Sequence, residues 1–386
     1  MVVRVLILHS RYRSGDVSGE NRVVVDEARM LADAGHRVVL RQLEPQVDRA
    51  RDRIRTAARA LWAPDVAAAV RRVVRREHID VVHAHNLFPT LSPAVLTAAR
   101  GAGAAVVVTL HNYRLLCLPA SLERDGRPCE VCVGRVPWRG VRYRCYRGSL
   151  AGSAALAASL TLHRAVGSFA AVHRFLAVSA FVRDRHVGAG FEAERILVKP
   201  NFVPPARRRD GPGQHFLFLG RLAPEKGVDV LLAAWRPELG RLLVAGDGPE
   251  SERLRRDVPP EVEVLGPVPA DRAADLIAAA RAVLVPSRWP EPAVPRAVLE
   301  AYAAGVPVVA SAVGALPEGV VHGETGLLVP AGEPGAWTAA CRRLLEDAEV
   351  RRLGDRAAAL WRDRYGPQAG LRALEDAYGA AIEARG

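Results

Sequence analysis

Phe216-Leu217-Phe218-Leu219-Gly220-Arg221-Leu222-Ala223-Pro224-Glu225-Lys226-Gly227 is an apolar run that breaks into a turn with two cations between two glycines, directly before a helix-period segment over residues 228–235. A strand that turns into a helix in this way is the repeating unit of parallel α/β sheets, whose ligands bind at the carboxyl ends of the strands. The planar fork of Arg221 can chelate phosphate oxygens, Lys226 adds a compact charge, and a helix N-terminus favours anions. The alternative for the same residues is a plain β-turn with two solvated cations.

On either side of this turn, short β-rich runs alternate with helical patterns. Downstream, strands are expected at 242–245, 262–265, 283–286 and 308–310, with helical segments at 334–346, 350–365 and 367–384. Upstream, strands are expected at 3–8, 38–40, 81–83, 106–110, 175–178 and 196–198, separated by helices such as 20–34, 66–77 and 93–99. Residues 201–213 hold Pro204, Pro205, Pro212 and three arginines, and read as an interdomain linker. At 386 residues the chain exceeds one ordinary core and suits two. The expected fold class is α/β, with two Rossmann-like domains facing each other across a cleft.

The formal net charge of +12 raises nucleic acid or an anionic membrane as partners. Of 54 basic residues, however, only Lys199 and Lys226 are lysines. Such an arginine skew reflects composition more than a binding face, so nucleic acid is not the expected partner. It also singles out Lys226. Residues 2–8 read as a buried first strand, not a leader, and the apolar stretch 150–162 is too short to span a bilayer. The expectation is a cytoplasmic protein with reduced thiols that touches the inner membrane face without crossing it. Five cysteines in so long a chain are not a disulfide scaffold.

A second motif runs Pro290-Glu291-Pro292-Ala293-Val294-Pro295-Arg296-Ala297-Val298-Leu299-Glu300-Ala301. Pro295 suits the first turn of a helix. Glu300 then falls amid Ala297, Val298, Leu299 and Ala301, where a carboxylate is costly unless strong donors such as ribose hydroxyls reach it. An exposed helix position is the alternative. Glu291, ahead of the helix, is placed to hold sugar hydroxyls or to stabilise a cationic anomeric carbon.

Together these motifs resemble the family-4 glycosyltransferases of the GT-B fold. So do Gly305-Val306-Pro307-Val308-Val309-Ala310, Ala245-Gly246-Asp247-Gly248-Pro249, the run from Ser311 to Glu318, and Gly323-Glu324-Thr325-Gly326-Leu327-Leu328-Val329. In the first half, Ser18-Gly19-Glu20-Asn21, Ala34-Gly35-His36-Arg37-Val38 and Thr109-Leu110-His111-Asn112 match as well. The resemblance implies an acceptor-binding domain at 1–200 with a cysteine-containing insert at 112–147, the linker, a donor-binding domain at 214–365, and a helix at 366–386 packing back on the first domain. It implies that Arg221 and Lys226 bind the diphosphate of a nucleoside-diphosphate sugar and that Glu300 binds its ribose. Glu291 and His111 would meet the donor sugar, His111 from the end of its strand. Gly19 would allow close backbone approach, and Gly314, Ala315, Leu316, Pro317 and Glu318 would offer backbone N–H groups. One departure bears on Glu291: the family usually spaces its two glutamates eight positions apart, and here the spacing is nine. The implied reaction retains anomeric configuration and transfers the sugar to a hydroxyl acceptor, with no catalytic cofactor and no Asp-x-Asp metal motif.

Cys117, Cys129, Cys132 and Cys145 lie in the insert, the middle pair as Cys-x-x-Cys. That spacing lets two thiolates share a tetrahedral ion and the flanking cysteines complete it, giving a structural zinc; four reduced thiols in an ordered loop are the alternative. Arg135, Arg139, Arg142, Arg144 and Arg147 with Trp138, Tyr143 and Tyr146 form a basic-aromatic segment there, facing an acidic or lipid-diphosphate acceptor or simply solvent. Other readings of the whole chain are a nucleotide-sugar epimerase, a glycan phosphorylase and a non-catalytic GT-B subunit.

Overall fold

The computed structural model describes residues 2–11, 19–45, 49–256 and 258–386. The chain divides into two compact units, one of Met1–Lys199 with Leu371–Gly386 and the other of Pro200–Gly370.

The first unit carries β1 (Arg4–Ser10), β2 (Arg37–Leu43), β3 (Val81–Ala84), β4 (Ala105–Leu110), a small hairpin of β5 (Glu123–Arg124) and β6 (Arg127–Pro128), β7 (Arg174–Ala177) and β8 (Ile196–Val198). Its main sheet runs β2-β1-β3-β4-β7-β8, every described pair parallel. Burial explains the composition: β3 and β4 are buried at every position, as expected for a parallel sheet covered on both faces, and they read as unbroken apolar runs instead of alternating ones. On one face Val5, Ile7, Val81, Val107 and Leu176 pack with Val24 and Leu31 of helix Gly19–Asp33. Leu374, Ala377, Tyr378 and Ala381 of the last helix, Pro367–Glu383, complete that core. The cysteine-containing insert holds the hairpin and the short helix Trp138–Arg142.

The second unit carries β9 (His215–Leu219), β10 (Leu242–Ala245), β11 (Val262–Gly266), β12 (Ala280–Val285), β13 (Val308–Ser311) and β14 (Gly326–Val329), in the order β11-β10-β9-β12-β13-β14, all parallel. The chain steps outward from β9 in one direction to β11, then returns past it to β12 and on to β14. The loops after β9 and β12 therefore part on either side of a crevice at the carboxyl edge, the switch point where open α/β sheets bind ligands. β14 was not among the strands expected from sequence. It is four residues long and opens on Gly326, where a Cβ would stand 2.0 Å from the Val308 carbonyl oxygen. The residue that lets β14 lie so close to β13 is the one that weakens its strand signature.

Residues 201–213 have no helix or strand, yet they are not free of the core. Val203 is fully buried with Leu217 and Tyr302, and it donates its N–H to the Tyr365 carbonyl at 3.1 Å. The apolar pair Phe202-Val203 anchors a segment whose prolines and arginines read as a linker. Among the described residues no helix is long and apolar enough to cross a membrane.

Candidate active site

In the second unit the turn after β9 is built from backbone constraints. Leu222 N–H donates to the Asp247 carbonyl at 2.9 Å, tying the turn to the loop after β10. Pro224–Lys226 forms a single 3₁₀ turn, and Gly227 takes φ 68° as it passes into the helix Val228–Ala234. A Cβ on Gly227 would lie 2.1 Å from the Pro286 carbonyl oxygen, so the turn sits directly on the loop after β12. Arg288 N–H donates to the Glu225 carbonyl at 2.9 Å, and the Arg288 guanidinium meets Asp229 at 2.6 Å.

That contact brings Lys226 and Glu291 together. Lys226 Nζ lies 2.6 Å from Glu291 Oε1, and the same oxygen accepts from the Ser287 hydroxyl at 2.5 Å. The two ionic side chains are 28% and 14% exposed, so both remain reachable from solvent. Arg221 is 66% exposed, with Glu225 at 3.9 Å. Gly314, at φ 58°, lies on the backbone of Glu291: a Cβ there would stand 2.3 Å from the Glu291 nitrogen, and Ala315 N–H donates to the Glu291 carbonyl at 2.9 Å. Glu291 is thus seated by backbone contacts to the Gly314–Ala315 turn whatever its spacing from Glu300.

Two expectations need correction here. Glu300 is not enclosed by apolar neighbours. It is half-exposed on the helix Arg296–Ala304, and its carboxylate accepts from Arg296 Nη2 at 3.2 Å across one helical turn. Apolar neighbours in sequence do not surround a helical residue, because 3.6 residues per turn send Val298, Leu299 and Ala301 inward and leave Glu300 at the margin. Nor does the run 314–318 offer five N–H groups. Pro317 has none, while Ala315, Leu316 and Glu318 donate within the fold to Glu291, Val313 and Ala315. Gly314 N–H alone of the five has no protein partner among the described residues.

In the first unit the carboxyl ends of β3 and β4 carry histidines. His83 is the third residue of β3, His85 follows β3, and His111 follows β4. A small pocket is lined by His85, Asn86, Phe88, His111, Asn112 and Arg114. Asn112 donates to Glu20 at 2.7 Å, which joins the strand end to the opening of helix Gly19–Asp33. Gly19 is that helix's first residue and exposed; Ser18 lies outside the described residues. Burial pushes the His83 imidazole down to about 3, and Lys199 adds to the effect. Burial likewise holds His85 and His111 well below the usual 6.5, so all three are neutral at pH 7. Sequence reasoning singled out His111 and missed His85, Glu27, Lys199 and Ser287. The signal for Lys199 was its rarity, and for His85 the spacing His83-Ala84-His85 at a strand end.

The four cysteines of the insert are free thiols. Burial raises Cys117 to about 11 and raises Cys132 and Cys145, with smaller contributions from one another and from Cys129. They share a neighbourhood, but no three of their sulfurs join one ion-sized group among the described residues; Glu27, His83 and His85 form the group that does.

These geometries agree with the comparisons to known proteins. Residues 17–207 match the model of Glycosyltransferase Family 4, and residues 213–347 match that of Glycosyl transferases group 1. An exopolysaccharide phosphotransferase of Streptomyces coelicolor is 35% identical over 182 residues, covering 44% of this chain and 19% of that protein. A D-inositol 3-phosphate glycosyltransferase of Thermobispora bispora is 34% identical over 209 residues, covering 48% of each. The chain thus spans less than half the length of these curated relatives. HepE of Anabaena, solved in complex with UDP and glucose, superposes with a TM-score of 0.64 at 20% identity, covering 97% of this chain and 99% of that one, which shows the fold. With both halves matched in order and both sheets of the expected kind, the chain belongs to the group 1, family 4 glycosyltransferases of the GT-B fold.

Proposed function

We propose that the protein transfers a sugar, with retention of configuration, from a nucleoside-diphosphate sugar to a hydroxyl acceptor. The observation that carries this reading is the Lys226–Glu291 pair at the switch point of the second sheet, seated by Gly227 and Gly314. A donor diphosphate placed there takes Lys226 and Arg221 as its cations, which stabilise the charge that grows on the leaving group as the anomeric bond breaks. Glu291 gives up the ammonium to the phosphate and accepts from sugar hydroxyls, while Glu300 does the same for ribose. Gly314 N–H and, in the first unit, His111 and Gly19 meet the sugar and phosphates. The bond from the anomeric carbon to phosphate breaks, the acceptor oxygen bonds to that carbon on the same face, and its proton passes to the departing phosphate oxygen. The UDP and glucose named for HepE support a nucleotide-sugar donor, and the inositol phosphate named for the relatives supports a small polyol acceptor.

The zinc reading of Cys117, Cys129, Cys132 and Cys145 rests on the donor set and not on present geometry. One zinc per chain by elemental analysis, absent from Cys129→Ser/Cys132→Ser, supports it. Exposed Trp138 and Tyr143 among the insert's arginines suit an anionic membrane face on the cytoplasmic side, which sedimentation with anionic vesicles tests.

The deciding experiment is a thermal-shift screen of nucleoside diphosphates and their sugars, followed by turnover with the best donor. A ligand that binds only the folded state raises the melting temperature. Stabilisation by a diphosphate but not by the monophosphate supports the assignment. A free altered sugar formed without acceptor means an epimerase, and no nucleotide binding means a scaffold.

A further inference from the structure

Behind His111 stands a line of buried groups that the transfer does not otherwise use. Lys199, directly after β8, is ion-paired to Glu27 on helix Gly19–Asp33, with side chains 1% and 0% exposed. Lys199 engages Glu27 Oε1; Glu27 Oε2 faces His85 Nε2 at 3.6 Å, and neither of these last two atoms has a hydrogen-bond partner. On its other side His85 Nδ1 lies 2.8 Å from His111 Nε2. His111 lines the pocket, and its Nδ1 has no protein partner among the described residues. His83 is set apart by its own bonds, Nδ1 with the Tyr378 hydroxyl at 2.9 Å and Nε2 with the Thr109 hydroxyl at 2.7 Å.

Glu27, His83 and His85 have ligand atoms within 4.8 Å of one another, which invites a metal. The chemistry points elsewhere. A cation there would sit against the Lys199 ammonium, already bound to one Glu27 oxygen, in an interior where like charges repel strongly.

We propose instead that Glu27 and His85 are positioning residues that lock His111 in its Nε2–H tautomer, so that Nδ1 presents a bare lone pair to a hydroxyl in the pocket. Each neutral ring carries one N–H. A carboxylate oxygen only accepts, so His85 must place its proton on Nε2; the reverse would set two lone pairs face to face in a dry interior. His85 Nδ1 is then an acceptor, His111 Nε2 must be the donor to it, and His111 Nδ1 is left without a proton. The charge on Glu27, two rings away, decides which atom the pocket sees. The functional meaning rests on the reading in which His111 meets the donor sugar; the tautomer itself does not.

The test is long-range ¹⁵N–¹H NMR of the imidazole nitrogens, which reads the tautomer without donor or acceptor. The wild type shows His111 as Nε2–H. In Glu27→Gln the Lys199 ammonium holds the amide oxygen, which turns the amide NH₂ toward His85 Nε2. The relay inverts, and His111 becomes Nδ1–H. The Glu27→Gln/Lys199→Met variant, which removes both buried charges together and so leaves neither uncompensated, releases the amide to turn either way and gives a mixture. A wild-type His111 found as Nδ1–H, a tautomer unmoved in folded Glu27→Gln, or pure Nε2–H in the double variant overturns the proposal. Turnover separates it from the function assignment: inversion with kcat at least tenfold lower supports both. Inversion with kcat unchanged keeps the relay and removes His111 from the sugar.

Discussion

The two units share a doubly wound parallel sheet and treat its carboxyl edge in opposite ways. In the second unit the ions lie where a ligand can reach them, Lys226 partly exposed and Arg221 mostly so. In the first unit the ion pair of Lys199 and Glu27 is sealed inside, and the group that lines the pocket is a buried, neutral imidazole. A phosphate is recognised by charge, so its cations must stay solvated until it arrives. A sugar hydroxyl is recognised by the direction of a lone pair or an N–H, and in the relay proposed above the buried charge sets that direction. Under the proposed function, this contrast gives anion binding to one sheet and hydroxyl reading to the other.

This division can be broken at several points. Lys199→Met strands the Glu27 carboxylate in the interior, and loss of one partner of a buried pair costs about 3–5 kcal/mol, read as a lowered denaturation midpoint. Lys226→Ala is expected to cut kcat/KM by about 100-fold, roughly 3 kcal/mol, while leaving the melting temperature of the unliganded protein nearly unchanged. An equal fall in both would mean that the lysine serves the fold and not the donor. Acid separates the units in a third way. His83, His85 and His111 are neutral when folded and protonate near 6.5 when unfolded, so the unfolded chain binds more protons below that pH. The stability they contribute is complete above 6.5 and drains as pH falls below it, by about 2 kcal/mol between pH 7 and pH 5 for His83, whose folded value is about 3. Urea midpoints across that range, flat in place of falling, would show these rings charged in the folded state. The smallest effect belongs to Arg221→Ala: about a tenfold rise in donor KM with stability unchanged within about 0.5 kcal/mol, because the guanidinium stands in solvent.

Much of this architecture is written locally. Runs such as Ala-Val-Val-Val-Thr-Leu at β4 declare a strand covered on both faces, and Gly227 and Gly314 mark turns that press on neighbouring backbone. The motif residues Lys226, Glu291 and the 314–318 turn do converge in the second unit. What was hidden depends on partners distant in sequence. Glu27 looks like any polar residue of an amphipathic helix until Lys199, 172 positions later, is set against it. Glu300 misled for the opposite reason, since its apolar neighbours in sequence face away from it.

The last helix has a consequence for how the protein comes to exist. Tyr378 closes the hydrogen bond of His83, and Leu374, Ala377 and Ala381 complete the core that Val5 and Ile7 begin. A nascent chain must therefore expose the whole intervening unit from the ribosome before its opening strands can finish their interior. Until then the sheet is half-covered, and His83 lacks the hydroxyl partner that Tyr378 later supplies.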